Sequence, residues 1–96
     1  MVTKILFQTG KTVLTRGVND LVAENTEFAK FVLKSLGRHA TGDWGDLHQE
    51  DKDANTAAVV EGDRILSAYE LKPLPKIWII TEADRSSTCV LFPDEY

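Results

Sequence analysis

Residues 38–46, RHATGDWGD, bring a guanidinium (Arg38), an imidazole (His39), two carboxylates (Asp43 and Asp46) and an indole (Trp44) together around Gly42 and Gly45. A second polar run, ITEADRSST at 80–88, adds Glu82, Asp84, Arg85, Ser86, Ser87 and Thr88. Metal-free cleavage of RNA needs a base, an acid and a cation for the charge that builds on phosphorus. If the two runs meet, Arg38, His39, Arg85 and Thr88 supply that set. The same residues have a plainer reading as structural ties, with Arg38 or Arg85 paired to Asp43 or Asp84. On that reading 80–88 is a hairpin tip held by local side-chain to backbone bonds.

Other chemistries are poorly matched. His39, Asp43, Asp46 and His48 are types that hold zinc, manganese or iron, but their spacing fits no helix-borne metal motif. The run DWGDLHQED lacks the alternation of a calcium loop, so no metal and no cofactor is expected. TGKT at 9–12 ends like a phosphate-binding loop. Ile5 stands where the first glycine belongs, though, and strand-like VLTR follows in place of a helix, which leaves a β-turn. Trp44, between two glycines, either plugs the core or offers a flat face to a partner, and a small domain favours the plug. The single cysteine, Cys89, lies in strand-like STCVLF and reads as a buried, inert thiol.

The elements that must position these groups follow from hydropathy periods. KILFQ and TVLTR read as strand or extended segments at the N-terminus. Asn19 or Asp20 is expected to cap a short helical turn, and Asn25 a second helix. Phe28, Ala29, Phe31, Val32, Leu33 and Leu36 give that second helix a broad apolar face, and Gly42 is its expected terminator. Asp46 with Gln49 resembles a capping box opening a third helix to about Glu61, stopped by Gly62. Mid-helix Asn55 would cap a second half if that helix broke. From Asp63 the period changes to two, and RILSAYEL, KIWIIT and STCVLF predict three strands joined by short turns. The expected architecture is one α+β domain over 1–96: an antiparallel meander of three C-terminal strands, plus an N-terminal strand or hairpin, against two to three helices.

Composition narrows the function classes. The chain has 96 residues, 43% hydrophobic and 27% charged, which suits one ordered domain with a modest core. The longest apolar run, IWII at 77–80, is far short of the roughly 18 residues that span a bilayer. With no signal-peptide pattern and one cysteine, a cytoplasmic location is expected. A net charge of −4 argues against direct nucleic-acid binding, which needs a basic patch.

Taken together, RHATGDWGDL, EDKDAN, RILSAYEL and IWIITEADRSSTCVLFPDEY resemble a widespread group of small uncharacterised bacterial proteins. Its members are met in plasmids, phages and integrative elements, and some are labelled a type I restriction-modification methylation subunit. The resemblance runs from about Asn25 to Tyr96; before it, TRGVND stands where a proline-glycine turn would be expected. The label does not fit, because a methyltransferase needs a cofactor-binding α/β domain and an Asn-Pro-Pro-Tyr type tetrad. The resemblance implies a mobile-element context and carries over no catalytic residue.

Three functions remain open on these grounds. The preferred one is a non-enzymatic protein that binds a protein partner, such as a host defence effector, and inhibits it in the manner of an anti-CRISPR or anti-restriction protein. Its candidate surface includes Arg38, His39, Asp43, Trp44, Asp46, Glu82, Asp84 and Arg85. Asp43, Asp46, Glu50, Asp51, Asp53, Glu82, Asp84, Asp94 and Glu95 would form a field facing a basic nucleic-acid-binding surface, or else are an ordinary solvated surface. The alternatives are a small ribonuclease-like enzyme and a pocket for a nucleotide-like molecule, with arginines on phosphate and Trp44 or Trp78 against a base.

Overall fold

A computed structural model describes residues 4–96. Eight elements follow in order: β1 (Lys11–Leu14), α1 (Arg16–Glu24), α2 (Thr26–Ala40), α3 (Gln49–Glu61), β2 (Ile65–Tyr69), β3 (Ile77–Thr81), β4 (Ser87–Leu91) and a 3₁₀ turn (Pro93–Glu95). The fold is α+β. The C-terminal meander β2–β3–β4 is antiparallel as expected, and β1 joins it parallel to β4, giving the order β1-β4-β3-β2.

Period-two alternation divides the sheet into two faces. Ile65, Ser67 and Tyr69 stand opposite Thr81, Ile79 and Ile77, and Thr88 and Val90 continue that face. Helices α1 and α2 pack on it, joining Val18, Phe28, Phe31 and Val32 to Tyr69, Ile77, Ile79 and Val90 in one core. The other face carries Leu66, Ala68, Trp78, Ile80, Cys89 and Leu91. Tyr96 turns back onto it, edge-on to Trp78 at 5.6 Å. Helix α3 lies along the β2 edge, where Ala58 and Ile65 meet Phe7 and Trp44 in a second, smaller core.

Several sequence expectations need correction. KILFQ forms no strand: Lys4–Gly10 is irregular, and Phe7 alone of its apolar side chains is buried. Helix α1 is capped by Thr15, which accepts from the Val18 N–H, so neither Asn19 nor Asp20 is the cap. The cap is reinforced from far along the chain, since Glu95 accepts from both the Thr15 hydroxyl and the Gly17 N–H. Asn25 does cap α2, accepting from Phe28 N–H at 3.0 Å. The buried stripe of α2 is Phe28, Phe31, Val32, Ser35 and His39, and Leu33 is 71% exposed. Asp46 forms no capping box; His48 is the N-cap of α3, and Gly62 ends that helix as expected. Cys89 does lie in a strand but is half-buried, not buried, with burial pushing its thiol pKa up. TGKT is not a turn: its Lys11 and Thr12 already belong to β1. Gly10 is needed there because a Cβ on it would strike the carbonyls of Arg85 and Ser86.

Candidate functional site

The stretch 38–46 leaves α2, turns, and runs along the outer edge of β2. Thr41 ends the helix, and Asp43 N–H folds back onto the Arg38 carbonyl at 2.9 Å. Arg38 holds Asp43 through two contacts, Nε to Oδ2 at 2.7 Å and Nη2 to Oδ1 at 3.1 Å. That pairing lowers the Asp43 carboxyl pKa below its ordinary value. The Arg38 guanidinium also lies 4.9 Å over the Tyr69 ring, and the Tyr69 hydroxyl donates to the Asp43 carbonyl. The expected Arg–Asp tie is therefore Arg38 with Asp43.

Beyond Asp43 the chain does the work of a fifth strand. Ala68 N–H donates to the Trp44 carbonyl and Asp46 N–H to the Ala68 carbonyl. Asp46 then accepts from Glu70 N–H at 2.8 Å. From α3, the Asn55 amide donates to the Leu66 carbonyl at 2.7 Å and accepts from Leu66 N–H at 3.2 Å, copying a peptide group. Helix α3 is unbroken, so Asn55 is an edge cap and not a helix cap. Gly45 is required at the tightest point: its φ is +76°, and a Cβ there would land on the Ala68 carbonyl oxygen. Trp44 is 5% exposed, stacked at 6.1 Å from Phe7, so its indole belongs to the core.

His39 is fully buried under Phe7 and Trp44, at 5.3 and 6.0 Å between ring centroids. Its neighbours fix its tautomer by elimination. Thr88 donates its hydroxyl proton to the Thr9 carbonyl, so at the 2.6 Å Thr81–Thr88 contact Thr81 must be the donor. Thr81 is then left only to accept from His39 Nε2–H at 2.8 Å, and His39 Nδ1 accepts from Ser67 at 2.6 Å. The result is a directed chain, Ser67 to His39 to Thr81 to Thr88 to Thr9, that ties α2 across three strands to the N-terminal segment. Desolvation lowers the His39 pKa to about 4. The neutral ring is the form this network holds.

Arg85 sits at the β3–β4 hairpin with φ +62° and donates to three carbonyls: Asp63, Glu82 and Ala58. Ala58 lies in the last turn of α3, where a cation is favoured by the exposed carbonyls. Its guanidinium lies 5.6 Å from the Phe7 ring centroid. No family model, curated protein or solved structure matches the chain.

The two polar runs thus do approach each other, with Phe7 between His39 and Arg85. Of the catalytic set read from the sequence, His39 and Thr88 share one buried network, Arg85 closes a helix end, and Arg38 is turned outward onto Asp43. The two histidines and two aspartates considered for metal do not converge, and among the described residues no cluster of three metal-ligating side chains occurs. Asp84 makes a local turn with Ser86 N–H, Glu82 pairs with Arg64 at 3.7 Å, and Glu95 serves the α1 cap. Asp46, Glu50, Asp51 and Asp53 stay exposed around the first turns of α3. Sequence reasoning missed Ser67 and Thr81 and gave Asn55 the role of a helix cap in place of its bonds to Leu66. Their signal was a polar residue at an inward strand position or in mid-helix, which the α+β pattern already made costly to bury alone.

Charge is unevenly placed. Residues 43–63 hold seven of the fifteen acidic side chains and one of the eleven basic ones, so this segment carries −6 and the rest of the chain +2. Among the described residues no helix is long and apolar enough to cross a membrane.

Proposed function

We propose that the protein is a non-enzymatic binding protein of a mobile genetic element, which inhibits a host defence effector by covering that effector's basic nucleic-acid-binding surface. The concentration of negative charge on and around α3 supports this reading, because the groups fitted for chemistry are already bonded within the fold while Glu50, Asp51 and Asp53 are exposed to a cationic partner, Asp53 with one oxygen accepting from the Gln49 amide at 2.8 Å. An imidazole with no exposure and both nitrogens engaged does not reach a phosphate, which tells against the ribonuclease alternative. Arg38 and Arg85 are likewise committed, which tells against a phosphate clamp built from them. The mobile-element context comes from the resemblance described above, and a cytoplasmic site of action belongs to this proposal.

The experiment is a transformation assay in cells whose nucleic-acid-binding defence effector limits plasmid entry. Expression of the protein should restore entry, and the double variant Glu50→Lys, Asp53→Lys should lose the effect while keeping its melting temperature. The purified pair should associate more weakly as salt rises. Restored entry that survives the double reversal, or no restoration together with no salt-sensitive complex, would overturn the reading.

A further inference from the structure

We infer that the cavity between α3 and Trp78 is a recognition pocket for one arginine side chain of the partner; this rests on the binding reading above and names the anchor by which the partner is held. The cavity, of about 440 Å³, opens where the first turns of α3 stand beside the helix-free face of the sheet. Leu66, Ala68 and Trp78 project from that face and give it an apolar floor and an aromatic wall, and Asp46 and Asp51 stand on the α3 side. Asp46 is oriented by Glu70 N–H, and Asp51 makes no side-chain bond among the described residues. Lys76 contributes one ammonium against these two carboxylates, so the lining is net negative.

Each part of this lining matches part of an arginine. The methylene stem suits the floor, the planar guanidinium suits an indole face, and its paired N–H groups suit a carboxylate. A lysine presents a more strongly hydrated point charge without the plane, and an anion would meet two like charges. The fold already sets a guanidinium over an aromatic ring three times, with Arg38 on Tyr69, Arg64 on Tyr96 and Arg85 on Phe7. Trp78 has the strongest π-face of the aromatic types and has no cation on it among the described residues. Tyr96, edge-on to the indole at 69° and held by Arg64 Nη1 at 2.9 Å, steadies that wall.

Titration of ¹⁵N-labelled protein with N-acetyl-arginine-N-methylamide tests the pocket. The Trp78 indole N–H and the amides of Asp51 and Ala54 should shift together and saturate. The citrulline analogue, similar in shape but uncharged, should bind at least about tenfold more weakly, and Asp51→Asn should weaken arginine binding by a similar factor. Absence of a saturable shift, equal binding of citrulline, or indifference to Asp51→Asn would overturn the assignment. Tighter binding of free arginine than of the capped residue would overturn a partner side chain as the occupant. In the transformation assay, protection lost in Glu50→Lys, Asp53→Lys but kept in Asp51→Asn and Trp78→Leu would remove the pocket and leave the acidic surface standing. An arginine-binding pocket in a protein that gives no protection would do the reverse.

Discussion

Along β2, the outward-facing backbone groups of Leu66 and Ala68 and the N–H of Glu70 all meet partners, supplied by Asn55, the Trp44 carbonyl, the Asp46 N–H and the Asp46 carboxylate. Along β1, at the opposite edge, Lys11 and Thr15 turn their N–H groups toward β4, which leaves those of Thr12 and Leu14 facing outward. The contrast shows where the unusual residues of 38–46 are used. An edge strand is a template for unwanted pairing, and this fold blunts one edge with a polar turn and the other by brevity and a lysine. A stretch with the look of an active site is, at β2, a seal.

The largest test of that contrast is Gly45→Ala. With a left-handed φ and the Ala68 carbonyl in the way, it should cost about 3 kcal/mol or more, whereas Gly37→Ala, with open space beside it in α2, should gain about 0.5–1 kcal/mol. Urea unfolding of both variants reads this directly; equal effects would mean that the edge yields easily.

Acid comes next. The folded pKa of His39 lies below its unfolded value, so the unfolded chain takes up the proton first, and stability falls as pH drops from about 6.5 to about 4. The ring's share of that loss is about 3 kcal/mol. Asp43, whose carboxyl pKa is also depressed, adds loss in the same direction at the acid end. Because His39 bonds to β2 and β3 but not to β1, amide exchange should accelerate first around Ser67 and Thr81; prior loss at β1 would contradict the network.

Asn55→Ala, which strips both bonds from Leu66, should lower stability by about 2 kcal/mol. Thr12→Pro removes an N–H that points outward at the bare edge and should cost within about 1 kcal/mol. A circular-dichroism melt in which Thr12→Pro proved as damaging as Asn55→Ala would show that the β1 edge is also engaged.

The parts of the fold that the sequence revealed are those decided locally. Three strands with period two, the Asn25 cap and the Gly62 stop are each set by neighbours a few residues away. The parts it concealed are decided at a distance. Thr15 caps α1 with help from Glu95, 80 positions on, and hydropathy gave Leu33 a place that Ser35 and His39 occupy, because polar side chains were read as outward-facing. Asp46 and Gln49 have capping-box spacing, yet the Asp46 carboxylate is taken by Glu70 N–H across the turn. Of the candidate site, the residue types and the Arg38–Asp43 tie were legible. Their use as an edge seal was not, since the Leu66, Ala68 and Glu70 groups they satisfy are backbone atoms, which every sequence contains.

The parallel pairing of β1 with β4 also imposes an order on biosynthesis. A ribosome makes β1 before the three α-helices, β2 and β3, and makes β4 after them, and the hydroxyl of Thr88 reaches a carbonyl 79 positions earlier. Helices α1 and α2 and the polar turn emerge before any C-terminal strand they will cover. A nascent chain halted before Ser87 lacks both the partner of β1 and the acceptor for the Thr81 proton, so its β1 stays unpaired and its histidine network incomplete. Closure of the sheet therefore waits for the last strand, and the interval before it is when chaperones and proteases have access to this chain.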